Sequence, residues 1–61
     1  MKFKHGDPVY IKDKFFPKET KGKVVDYKIK LEGTQGQEIK YEVSFMRTKK
    51  WFDESKLKSV S

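Results

Sequence analysis

The sequence predicts one small all-β domain over residues 1–61, a five-stranded barrel with one short helical turn before the last strand. Three observations carry this expectation. Apolar and aromatic residues alternate with polar ones along two runs, 25–31 and 38–46. Gly, Pro and Asp break the chain at short intervals. No stretch shows the three-to-four-residue apolar spacing of an amphipathic helix.

The elements follow in order. Gly6-Asp7-Pro8 marks a turn, and residues 8–12 then place Val9 and Ile11 on one face with Tyr10 on the other. Residues 16–22 read as a loop. The second strand, 23–31, is expected to bury Val25, Tyr27, Ile29 and Leu31 against an outward Asp26, Lys28 and Lys30. After a second loop at 32–37, Ile39, Tyr41, Val43 and Phe45 alternate with Lys40, Glu42 and Ser44. Alternation of this length belongs to antiparallel strands with one face on the core and one in water. Pairing Leu31 with Ile39 sets Ile29 opposite Tyr41, Tyr27 opposite Val43 and Lys28 opposite Glu42. A slip of one residue would oppose inward to outward side chains. Residues 47–50 form a polar tight connection. Phe52 is expected to point inward and Trp51 to the rim, because strand neighbours face opposite ways. Asp53 is expected to cap one helical turn with its carboxylate, and Leu57 or Val60 returns to the core in a fifth strand. The expected core is Val9, Ile11, Val25, Tyr27, Ile29, Ile39, Tyr41, Val43, Phe45, Phe52 and Leu57.

Gly6-Asp7-x-Val9 and Lys21-Gly22-Lys23-Val24-Val25 resemble the openings of the first two strands in SH3-like barrels of the KOW and Tudor-like superfamily. Tyr41-x-Val43-x-Phe45, Trp51-Phe52 and Leu57 look like the remainder of such a barrel. The resemblance implies binding of RNA, DNA, modified peptides or partner proteins. The plasmid-encoded type II dihydrofolate reductase is also similar in pattern. Its cofactor-binding Val-Gln-Ile-Tyr segment falls where this chain has Lys50-Trp51-Phe52-Asp53, so the motif is missing.

Composition narrows the function. The chain has 61 residues, 34% hydrophobic and 39% charged, and carries a net charge of +6. A domain of this size buries only about 60% of its unfolded surface, so its nine aromatic residues must supply much of the core. No cysteine is present and His5 is the only histidine, so neither a Cys–His nor a Ser–His–acid set nor a metal cluster is expected. No cofactor and no enzymatic activity are expected. Residues 1–6 lack the apolar stretch of a signal peptide and no apolar run spans a membrane, so a cytoplasmic location is expected.

A positive balance points to a polyanion, usually nucleic acid. The expected contacts are Lys12, Lys14, Lys18, Lys21 and Lys23 around the first loop, with Arg47, Lys49 and Lys50 in the later connection. Trp51 or Tyr10 would supply a rim aromatic on which a base stacks. Of Phe15 and Phe16, one is expected to close the barrel end. Every basic residue except Arg47 is a lysine. Lysines also keep small β-proteins soluble and blunt their edges, so an interaction module that offers an aromatic surface to a peptide or partner protein is the alternative.

Overall fold

The computed structural model describes residues 2–18, 20–31 and 36–60. Five antiparallel strands form one sheet: β1 (Pro8–Ile11), β2 (Thr20–Leu31), β3 (Gln37–Phe45), β4 (Thr48–Asp53) and β5 (Leu57–Ser59). Their order is β4-β3-β2-β1-β5, which leaves β4 and β5 as the edges. A 3-10 turn, Glu54–Lys56, precedes β5. Among the described residues no helix is long and apolar enough to cross a membrane. Of the expected loop at 32–37, residues 32–35 lie outside the described residues, and Gln37 already opens β3.

β2 is long because two neighbours share it. Residues 20–23 pair with β1, and residues from Lys23 onward pair with β3. At this changeover sits Gly22, where a Cβ would lie 2.5 Å from Val43 Cγ1 and 2.8 Å from the Ser44 carbonyl oxygen. Glycine lets β2 pass that close to β3. Gly6, at φ +92°, makes the turn into β1. Its N–H donates to the Val24 carbonyl, and the Val24 N–H donates to the Asp7 carbonyl.

The register corrects the expectation. Val24 pairs with Val43, Asp26 with Glu42, Tyr27 with Tyr41, Ile29 with Ile39 and Leu31 with Gln37, and the ladder shifts between Val24 and Asp26. Val25 is the extra residue of a β-bulge. Lys28 therefore faces Lys40 and not Glu42. Buried Val24 takes the place expected of Val25, which is only half-buried. Tyr27 and Ile29 share the inner face with their partners Tyr41 and Ile39, yet they are 47% and 46% exposed. The reason is coverage. β1 ends its pairing at Lys23, and β4 ends opposite Lys40, so among the described residues no neighbouring strand flanks the distal hairpin.

The core is Phe3, Val9, Ile11, Val24, Tyr41, Val43, Phe45, Phe52 and Leu57, with Phe16 and Ile39 packed against it. Phe3 was absent from the expected core. Its ring meets Tyr41 edge-on, with centroids 5.2 Å apart. The Tyr41 hydroxyl donates to Glu54 Oε2 at 2.7 Å and accepts from the Phe3 N–H at 3.3 Å. Burial and the bond to Glu54 raise the Tyr41 pKa, and the same bond lowers that of Glu54. Asp53 stands at the start of the 3-10 turn but makes no side-chain cap. Its carboxylate lies 3.4 Å from Lys40 Nζ instead, a correction to the expected capping role. Glu38 is 3.3 Å from the same amine, and the two acids, Glu38 foremost, raise the Lys40 pKa.

Candidate nucleic-acid interface

Strand parity sorts the lysines. Val9 and Ile11 point into the core, so Tyr10 between them points out. Tyr10 pairs with Lys21 on one side and Lys58 on the other. Two residues along, Lys23 pairs with both Pro8 and Ser44, and Ser44 pairs with Lys49. Directly paired residues share a face. The outer face thus carries two adjacent rows, Lys58–Tyr10–Lys21 and Lys23–Ser44–Lys49, and neither contains an Asp or Glu. All four lysines are exposed, while Tyr10 and Ser44 are half-buried. Neighbouring strands stand about 4.8 Å apart, so the cations spread across the whole sheet.

Trp51 borders this surface. It pairs with Glu42, which pairs with Asp26. Phe52 is buried and Trp51 is 39% exposed, as expected. Lys28 Nζ lies 4.6 Å from the Trp51 ring centroid, a cation–π contact that holds a positive charge over one ring face. The next row places Lys28 opposite Lys40. That like-charge pair is relieved by Trp51 on one side and by Glu38 and Asp53 on the other.

The loop at 12–18 is folded on its own residues. The Asp13 carboxylate accepts from the Phe15 N–H at 2.9 Å, and its carbonyl accepts from the Phe16 N–H at 3.1 Å. Pro17 O accepts from both the N–H and the hydroxyl of buried Thr20. This turn sends Phe16 inward, with ring centroids 5.2 Å from Phe45 and 5.8 Å from Phe52. Phe15 is left exposed, so one phenylalanine closes the end of the sheet, as expected. Phe45 is the last residue of β3. Its contact with Phe16 therefore brings the loop bearing Lys14 and Lys18 to the same end of the molecule as Arg47.

The expected site is thus partly gathered. Lys21, Lys23 and Lys49 share the outer face, with Trp51 at its border. Lys14, Lys18 and Arg47 share the adjoining end. Lys50 pairs with Val43 and lies on the opposite side of β4, exposed. Lys12 leaves β1, its N–H donating to the Lys56 carbonyl, and helps to line an open pocket of about 350 Å³ with Lys2, Phe3 and Lys58. Lys58 was not expected. Its signal was the inward Leu57 beside it, which forces the next strand residue outward. No family model matches the chain, and no curated protein and no solved structure matches it.

Proposed function

We propose that this chain is a non-enzymatic, cytoplasmic nucleic-acid-binding module built on an SH3-like barrel frame. The supporting observation is the pair of outer-face rows, which hold Lys58, Lys21, Lys23 and Lys49 without an intervening acid. Lysines in such an array neutralise phosphates and release their counterions. The strand order, the shared and bent β2 and the 3-10 turn before β5 support the barrel frame. Among the described residues, the acids nearest to a cleft are engaged structurally, Glu38 and Asp53 with Lys40 and Glu54 with Tyr41. That arrangement favours binding over catalysis.

The test is titration with a generic oligonucleotide at low and moderate salt. Affinity should fall steeply with salt, and the Lys21/Lys23/Lys49→Gln variant should bind all sequences more weakly with a flatter salt dependence. No binding at low salt would turn attention to the second reading. That reading is a protein-interaction module using the half-exposed Tyr27 and Ile29 beside Ile39 on the uncovered hairpin. Large apolar side chains left on a sheet face favour a protein partner.

A further inference from the structure

The end of the molecule where the first loop meets the β3–β4 turn has features that folding does not require. Met46 and Arg47 form a two-residue connection between β3 and β4, with φ +47° and +63°. A connection with both central residues at positive φ favours Asn-Gly or Gly-Gly. Here neither residue is glycine, and each stores backbone strain. Met46 gains no burial in exchange, being 73% exposed. Phe15 is 80% exposed, although its neighbour Phe16 already fills the space against Phe45 and Phe52. Lys14 Nζ lies 5.3 Å from the Phe15 ring centroid. The two protruding apolar side chains thus stand on segments joined by the Phe16–Phe45 contact, flanked by exposed Lys14, Lys18 and Arg47.

We infer that Phe15 and Met46 form an apolar wedge that enters a base step of double-stranded DNA, while the lysines around them hold the adjoining phosphates. Phe and Met are side chains that minor-groove proteins use to unstack a step and kink the duplex. Charge complementarity favours DNA over a lipid surface. The cations are not confined to Lys14, Lys18 and Arg47 at the tip. They run back from it along the outer face through Lys21, Lys49 and Lys23, as a path for a backbone requires. The stacking surface for a single strand is poorer. Tyr10 is half-buried, and Trp51 carries Lys28 over its ring beside Glu42. The inference rests on the nucleic-acid reading and specifies the form bound and the residues that enter it.

A short duplex with one 2-aminopurine is the probe, compared with its single strand and with vesicles containing anionic lipid. The full chain should bind the duplex more tightly than the strand and raise 2-aminopurine fluorescence. Phe15→Ala and Met46→Ala should each weaken duplex binding about tenfold, the scale of one lost buried side chain. Both should leave the salt slope unchanged, and both should fold, since both side chains are exposed. Duplex binding with no fluorescence rise and wild-type affinity in both variants overturns the wedge but leaves the nucleic-acid reading standing. Preference for the single strand does the same. Failure to bind either nucleic acid at low salt overturns both. Vesicle binding lost in the same two variants, without duplex binding, assigns the tip to a membrane surface.

Discussion

At the scale of single residues, two positions decide how close the layers come. Gly22 lies where β2 passes from pairing with β1 to pairing with β3, and an alanine there would meet the Val43 side chain and the Ser44 backbone. Backbone cannot yield as a flexible side chain can, so Gly22→Ala should cost about 1–3 kcal/mol in urea unfolding. An unchanged midpoint would mean that the approach is wider than described. Tyr41 ties the N-terminal segment to the 3-10 turn through Phe3 and Glu54. Tyr41→Phe keeps the ring and removes the hydroxyl, leaving the Phe3 N–H without its acceptor, at a cost of about 1–2 kcal/mol near neutral pH. The cost should depend on pH. The bond from Tyr41 lowers the Glu54 pKa from its ordinary value near 4.5. A carboxyl with a depressed folded value stabilises the fold above its unfolded pKa and loses that contribution as pH falls through the folded one. The gap between wild type and Tyr41→Phe should therefore narrow as pH drops below about 4.5, down to the part set by the unpaired Phe3 N–H, which does not titrate. A constant gap between pH 7 and pH 3 would mean that the hydroxyl does not act through Glu54.

At the scale of elements, the β2–β3 hairpin separates what alternation can reveal from what it cannot. Faces were legible: Tyr27 and Ile29 lie on the side of Tyr41 and Ile39, as their spacing requires. The register was not, because a slip of two residues keeps every side chain on its face and leaves the pattern unchanged. Val24 and Val25 are adjacent and equally apolar, so period two could not say which was the bulge. Burial was misread for a different reason. A strand residue can face inward and still stay wet when its neighbouring strands stop short, and their lengths are set by partners distant in sequence. Val43→Ala, deep in the core, should cost about 2–3 kcal/mol. Ile29→Ala should cost less than about 1 kcal/mol despite its inward parity, because half of the side chain is already in water. Equal losses in thermal unfolding would show that the hairpin is covered, for example by a second chain.

At the scale of the whole molecule, composition suggests the polyanion partner we propose but does not place the lysines that would meet it. The net charge of +6 was legible, and so were most of the lysines that now share the outer face. Their convergence was not, since it depends on β1 pairing with both β2 and β5. Lys58 and Lys50 offer a matched comparison. Both are exposed lysines on edge strands, and replacing either by Gln removes one charge. Lys58 lies in the outer row beside Tyr10, whereas Lys50 lies on the Val43 side of β4. If attraction came only from net charge, the two variants would bind nucleic acid equally. At about 0.1 M salt, however, the screening length is about 10 Å, so a lysine that does not touch the phosphates contributes little. Lys58→Gln should weaken binding and lower the salt slope by about one, and Lys50→Gln should leave the slope near that of wild type. Equal slopes for the two variants would remove the outer face as the contact surface. A steeper loss from Lys50→Gln would move the interface to the opposite side of β4.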